Sequence, residues 1–413
     1  MKILVVSQYF WPESFIINDL VENLAAQGHA VQVLTGKPNY PEGVIFDGYC
    51  AAGYVEQRFA SSNVTVCRAP LRARGGSGAK NLFLNYLSFV CNGLKFYPRA
   101  VKGKCFDAIF VFAPSPITTV IPAIYLKWRL KSHLAVWVQD LWPESLSATG
   151  FVKNKFALRL VGYMVKGIYS FVDTLLVQSQ AFRAPVGKYA SSEKIIYYPN
   201  SYQELSSDLQ ETRVPQELLA ELDEHFCLVF AGNLGVAQSV ETIVEVADKL
   251  RHLEGLRIVL VGSGSMYGWI ESQKQSKKLD NLVLAGRFPA SEMPHFFSRA
   301  EGLLVTLKHD EAFSYTIPSK VQAYLAAGRP IIAALDGEGA RIIEEAKAGF
   351  TSPAQDSEGL ANRIEQLFHM GLHERERMGR SGREYYLEHF EMGRQSQRLV
   401  EILGKRINEL KGI

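Results

Sequence analysis

None of the five cysteines (Cys50, Cys67, Cys91, Cys105, Cys227) stands in a CxxC or at any paired spacing. That excludes a disulfide framework and a cysteine zinc site, and leaves reduced thiols in cytosol as the expectation. No stretch reaches the roughly 18 uninterrupted apolar residues of a spanning helix. Met1–Ser7 runs straight into a strand and then a polar loop, so no signal peptide is expected. No tandem repeat of about 20–50 residues appears. Acid is scarce in one region: between Leu71 and Ser132 ten Lys and Arg are opposed only by Asp107.

What is present is a chain of 413 residues, 47% hydrophobic and 21% charged, enough for two sizeable globular cores. Its net charge of +3 hides an asymmetry. Residues 1–200 hold 21 Lys+Arg against 11 Asp+Glu, a net of +10, and residues 201–413 a net of −7. A basic half joined to an acidic half implies that the first half meets something anionic.

Short apolar runs alternate with helical patterns throughout, which predicts an α/β chain with parallel sheets. KILVVS, AVQVLTG, AIFVFA, AVWVQD, TLLVQS and KIIYYPN read as strands of a first sheet. The polar, proline-containing segment Ser201–Glu224 reads as a linker. The pattern then restarts with CLVFAG, RIVLVG, NLVLAG, GLLVTL and PIIAAL. Two doubly wound, Rossmann-like domains facing a central cleft are expected: 1–200, completed by a C-terminal helix within 395–413, and 201–394. Ligands of such sheets bind beyond the carboxyl ends of the strands.

The segment FSYTIPSKVQAYLAAGRP (313–330) places Ser319 and Lys320 in the first turn of a small-residue helix. A helix start presents unpaired N–H groups and partial positive charge, and a cation there is unfavourable unless an anion joins it. A helix beginning at Pro318 for local reasons, with Lys320 in solvent, fits the segment equally. In GNLGVAQS, Gly232 and Gly235 allow close approach of a ligand to the backbone, and Asn233 can hydrogen-bond it; an ordinary glycine turn would look similar. VGSGSMYG, with Gly262 and Gly264, has the wrong spacing for a dinucleotide fingerprint and fits a phosphate- or base-facing turn. Arg287 follows a strand directly; with Lys320 it would supply two cations for a diphosphate leaving group.

In the first domain QDLWPES places Asp140 just beyond a strand, to orient an acceptor hydroxyl, act as base, or cap the next helix. YFWPES puts Glu13 at the equivalent place after strand one, with the same alternatives. The stretch 71–104 interleaves Arg72, Arg74, Lys80, Lys95, Arg99 and Lys102 with leucines and aromatics, after a run Gly75-Gly76-Ser77-Gly78 expected to be mobile. That composition suits an anionic bilayer surface, and also a buried helix with a charged rim. No nucleic-acid module appears.

YFWPES, GHAVQVLTGKPNYPEG, VQDLWPES, VFAGNLGVAQ, LVGSGS and IPSKVQAYLAAGRPII together resemble the family 4 glycosyltransferases of bacterial surface-polysaccharide synthesis, above all those adding N-acetyl-L-fucosamine in O-antigen or capsule assembly. The resemblance implies a GT-B fold, a donor held by the second domain, no metal or other cofactor, and retention of anomeric configuration. It also implies a lipid-linked acceptor such as N-acetylglucosaminyl diphospho-undecaprenol, met at the inner face of the cytoplasmic membrane. Two departures stand out. Where many relatives carry paired glutamates this chain has Tyr315 and Ala323, and where they carry Arg and Lys it has Asn233 and Gln238.

The reading is transfer of an amino sugar from a UDP-sugar. Lys320, Ser319, Arg287 and the glycine loop would hold the diphosphate; Asp140 and Glu13 would position the acceptor. A UDP-sugar 2-epimerase of the same fold and a non-catalytic sugar-nucleotide-binding subunit are the alternatives.

Overall fold

A computed structural model describes every residue except 60–62, 77, 149–153, 205–211 and 412–413. The chain divides into two compact units, 1–200 with 392–413, and 201–391.

The first unit begins β1 (Lys2–Ser7), α1 (Ile16–Ala26), β2 (Ala30–Thr35), β3 (Val55–Arg58), β4 (Thr65–Arg68), α2 (Ala79–Ala100) and β5 (Ala108–Ala113). It continues α3 (Val120–Leu130), β6 (His133–Val138), α4 (Glu144–Ala148), α5 (Lys155–Ser170), β7 (Thr174–Val177), α6 (Arg183–Gly187) and β8 (Ile195–Tyr197). The strands lie in the order β3-β4-β2-β1-β5-β6-β7-β8, parallel except for the edge strand β3. β5 and β6 are buried along their whole length, because helices cover both faces of a parallel sheet.

The second unit runs α7 (Gln216–Glu224), β9 (Phe226–Ala231), α8 (Val240–Lys249), β10 (Leu256–Val261), α9 (Tyr267–Lys277), β11 (Leu282–Gly286), α10 (Met293–Arg299) and β12 (Gly302–Thr306). Then come α11 (Glu311–Ser314), α12 (Ser319–Ala327), β13 (Ile331–Ala334), α13 (Glu338–Glu345), β14 (Gly349–Ser352), α14 (Ser357–Phe368) and α15 (Leu372–His389). Its six parallel strands are ordered β11-β10-β9-β12-β13-β14. The last helix, α16 (Met392–Lys411), belongs to the first unit. It packs on α1 and sends Leu399 and Leu403 into the core containing Ile3, Val5, Phe110 and Trp137.

Both sheets reverse direction once: the chain returns to β5 beside β1 in the first, and to β12 beside β9 in the second. At such a switch point neighbouring loops diverge and leave a crevice at the strands' carboxyl ends.

Two sequence expectations change. The supposed linker over Ser201–Glu224 includes a helix, α7, which buries Leu219 and Leu222 against α10 and β9; residues 205–211 lie outside the described residues. Its apolar side chains recur every three or four residues inside a mostly polar stretch, and that spacing outweighs the composition. In the glycine run read as mobile, Gly75 N–H donates to Gly43 O at 2.8 Å. A Cβ on Gly43 would lie 2.2 Å from Gly75 O, so two glycines meet there. Ser77 lies outside the described residues.

Candidate functional site

The second switch point gathers the donor residues expected from the sequence. β9 leads into Gly232-Asn233-Leu234-Gly235, and β10 into Gly262-Ser263-Gly264. Gly232 N–H donates to Val261 O and Leu234 N–H to Ser263 O, both at 2.8 Å, which zips the two loops together. Glycine is required for this approach. A Cβ on Gly262 would sit 1.8 Å from Gly232 O, and one on Gly264 would sit 2.4 Å from Leu234 O. Gly262 and Gly232 also have φ of 151° and 135°, where other residues are strained. Asn233 lies across both: a Cβ on Gly235 would meet its Nδ2 at 2.6 Å, and one on Gly264 its Oδ1 at 2.7 Å.

Lys320, in the first turn of α12, comes over this platform instead of pointing to open solvent. Its Nζ donates to Gln238 Oε1 at 2.8 Å and stands 3.5 Å from the centre of the Phe230 ring. Its Cε would be 2.7 Å from a Cβ on Gly232, so the glycine also makes room for the lysine. Burial pulls its pKa down to about 7. Among the described residues, the hydrogen-bond acceptor of its ammonium is a neutral amide, which suits a cation kept for an anionic ligand. α12 itself begins after Pro318 with no side-chain cap, and Ser319 is exposed at its first position. Arg287 follows β11 and is exposed; Gly286 O, one residue earlier, accepts from Gly262 N–H at 2.7 Å, which ties this strand end to the glycine loops.

At the departure from the family pattern, Tyr315 O–H donates to Glu311 Oε1 at 2.8 Å. A carboxylate is therefore present one helical turn ahead of Tyr315. Gln238 and Phe230 are the site residues that sequence reasoning missed. Gln238 was visible as a departure from the family's lysine; Phe230 is indistinguishable in sequence from any buried strand residue.

In the first unit, Asp140 stands beyond β6, with Oδ2 accepting from Trp142 Nε1 at 3.1 Å. Burial raises its pKa, against hydrogen bonds from Ser145, Trp142, Ser115 and Leu141 N–H. Tyr86 of α2 joins it: burial raises the phenol's pKa, a hydrogen bond with Ser115 opposes this, and Asp140 adds to it. Asp140, Ser115 and Tyr86 thus share one polar spot at the end of β5 and β6. Both Trp-Pro-Glu-Ser turns contain a cis Trp-Pro bond.

Glu13 plays a different part from the acceptor-positioning one expected of it. It is 2% exposed. Its Oε1 accepts from the N–H of Asn39 and Tyr40, both at 2.8 Å, and its Oε2 from Phe10 N–H at 3.1 Å. Oε1 thus ties the β1 loop to the KPNYPEG loop, while Oε2 braces the β1 loop on itself. Two buried cations stand nearby that sequence reading passed over. Arg68 donates to Gly36 O and Trp11 O and stacks on Tyr49. Lys37 is 1% exposed, its pKa lowered by burial and then by Arg68.

The six basic residues of 72–102 separate. Lys80, Lys95 and Arg99 lie exposed on α2, and Arg72 and Lys102 are exposed just outside it. Arg74 instead packs over the Tyr40 ring at 5.3 Å.

Residues 225–370 match the family described as glycosyl transferases group 1, and residues 15–201 match the glycosyl transferase 4-like domain. A protein of Escherichia coli K12 named as a colanic acid biosynthesis glycosyl transferase, WcaI, is 26% identical over 79% of this chain and 82% of its own length. Among solved structures, sucrose-phosphate synthase of Thermosynechococcus elongatus superposes with a TM-score of 0.71 at 17% identity, over 98% of this chain and 99% of that one. HepE of Anabaena, in complex with UDP, superposes with a TM-score of 0.66 at 13% identity, over 98% and 100%. The two-domain α/β fold with parallel sheets is thus that of the GT-B glycosyltransferases.

Proposed function

The chain belongs to the glycosyl transferases of group 1, with a 4-like first unit, and from that premise we propose that it moves an amino sugar from a UDP-sugar onto a lipid-linked sugar in surface-polysaccharide synthesis. That it is a glycosyltransferase follows from the family and from its kinship with WcaI. The observation carrying the donor half is Lys320, held half-buried over Phe230 with a neutral amide as its hydrogen-bond acceptor among the described residues, beside two glycine loops that expose backbone. UDP bound to HepE, a protein of the same fold, supports a uridine diphosphate as leaving group.

The chemistry follows from charge. As the bond from sugar to phosphate breaks, the sugar becomes oxocarbenium-like and negative charge grows on the diphosphate. Lys320, Arg287 and the amide groups at Ser319 would take up that charge, so the reading is metal-independent and keeps activity in EDTA. Asp140 would orient the acceptor hydroxyl, with the departing phosphate able to receive its proton and the configuration retained. Glu13 has no step here. N-acetyl-L-fucosamine as the sugar, N-acetylglucosaminyl diphospho-undecaprenol as the acceptor and the inner face of the cytoplasmic membrane as the place rest on the motif resemblance and on the basic first unit.

The test is incubation of the purified chain with a panel of UDP- and GDP-sugars and that lipid acceptor. A disaccharide on the lipid, formed from UDP-N-acetyl-L-fucosamine, is expected. No transfer from any donor, or a new sugar nucleotide formed without acceptor, would overturn the proposal.

A further inference from the structure

The first sheet has two unlike faces. α1 and α16, on one face, carry both signs of charge, with Asp19, Glu22, Glu401 and Glu409 among them. α2, α3 and α5 follow crossovers that run the opposite way along the sheet, and right-handed connection puts them on the other face. These helices have 22, 11 and 16 residues, and among all of them stand eight Lys and Arg and no Asp or Glu.

α5 is apolar on two sides. Val165, Ile168 and Tyr169 turn inward and are buried, as sheet packing requires. Phe156, Leu160 and Tyr163 form a second row, at i, i+4 and i+7, and are 68%, 53% and 66% exposed. Arg159 and Lys166 flank that row. Trp128 of α3 is 63% exposed and lies edge-on to Phe171, just past the end of α5, with ring centres 5.7 Å apart. Phe83 of α2 is 62% exposed. Large apolar side chains exposed together and rimmed by charge mark an interaction surface.

We propose that α2, α3 and α5 together are a docking face for an anionic lipid bilayer. The outer row of α5 and Trp128 enter the headgroup region, and Arg159, Lys166 and Arg129 pair with lipid phosphates. Charge selects this occupant: a second copy would set the eight cations of these helices against the same cations, and none of the three helices carries a carboxylate for them to pair with. The inference relocates the membrane contact from the stretch 71–104 to three helices led by α5. It takes its purpose from the lipid-linked acceptor of the proposed function, but vesicle binding is measurable without any sugar.

The experiment is flotation of the full chain with phosphatidylcholine vesicles, with and without about 30% phosphatidylglycerol, at low salt. Expected is binding to the anionic vesicles, reduced about tenfold or more by F156S/L160S/Y163S and similarly by R159E/K166E. K405E, exposed on α16, should bind as wild type does. All three variants should keep their circular dichroism melting curves, since the altered side chains are exposed. The inference is overturned if wild type does not float at low salt, or if the α5 triple variant floats unchanged. It is equally overturned if wild type is a dimer that the triple variant makes monomeric. Failure of the sugar-transfer assay with vesicle binding intact would sink the proposed function and leave this face standing.

Discussion

Lys320 sets the pH behaviour of the donor site. An unfolded lysine titrates near 10.4, and the folded value is about 7. Between those values the unfolded chain binds the extra proton, so this group's contribution to stability rises with pH through the window and is lost as pH falls to about 7. Lys320→Met should abolish that slope in denaturation midpoints measured from about pH 6 to 10. A diphosphate favours the ammonium, so at about pH 8 binding of UDP should take up close to one proton. Calorimetry in buffers of different ionisation heat reads this directly; identical heats in all buffers would refute it. The same substitution should lower kcat/KM about 100-fold or more, through loss of charge stabilisation on the leaving group. The Pro-Ser-Lys start made Lys320 legible as a candidate anion ligand. Its depressed pKa was not legible, because it comes from burial, which only the fold creates around Lys320.

At the scale of elements, two loop junctions decide whether the sites exist at all. Gly262→Ala places a methyl group 1.8 Å from Gly232 O at a φ of 151°, with no side chain able to yield. The expected cost is ~3 kcal/mol or more, with UDP binding lost along with the loop. An unchanged melting temperature and unchanged UDP affinity would contradict the loop packing. Glu13→Gln replaces one of the two oxygens that hold three backbone N–H groups by a donor. It should destabilise the first unit by about 1–3 kcal/mol. If Glu13 is a clamp, the variant's remaining folded fraction keeps its acceptor KM; a raised KM at full stability would return Glu13 to the acceptor site. Such clamps escape sequence reading because their partners are main-chain groups. β3 escaped for another reason: it is a four-residue edge strand largely facing solvent, so it shows no apolar run. α7 was hidden by its polar majority, although its buried leucines had helical spacing.

For the whole molecule, the alternating order of strands and helices was readable because parallel strands buried on both faces are nearly continuous apolar runs, as in AIFVFA and HLAVWV. The face formed by the basic helices was readable only in part. The stretch 71–104 was noticed for its composition, whereas α5, with fewer cations per residue, shows its outer row only when the sheet fixes which side is inward. UDP should stabilise the second unit alone, by about 2.7 kcal/mol at a hundredfold excess over Kd. In hydrogen exchange the added protection should be concentrated at 232–238, 262–266 and 319–321. Protection spread evenly over the β1–β8 sheet would argue against a donor site confined to these loops.

The return of α16 to the first unit makes that unit discontinuous in sequence, with the second unit inserted into it. On a ribosome, residues 1–200 emerge first yet lack Leu399 and Leu403, both fully buried, and the backbone carbonyl of Gln395 that accepts from Tyr198 O–H at 2.9 Å. The second unit, complete by Glu391, can close before the first does. The segment that finishes the first unit is therefore made only after the whole second unit. A chain ending at Glu391 should show a folded, UDP-binding second unit and a protease-sensitive first one; a protease-resistant first unit would show that α16 is dispensable to that core. Lipid docking and acceptor binding, both assigned to the first unit, would then be acquired by the nascent chain only after the donor site has formed.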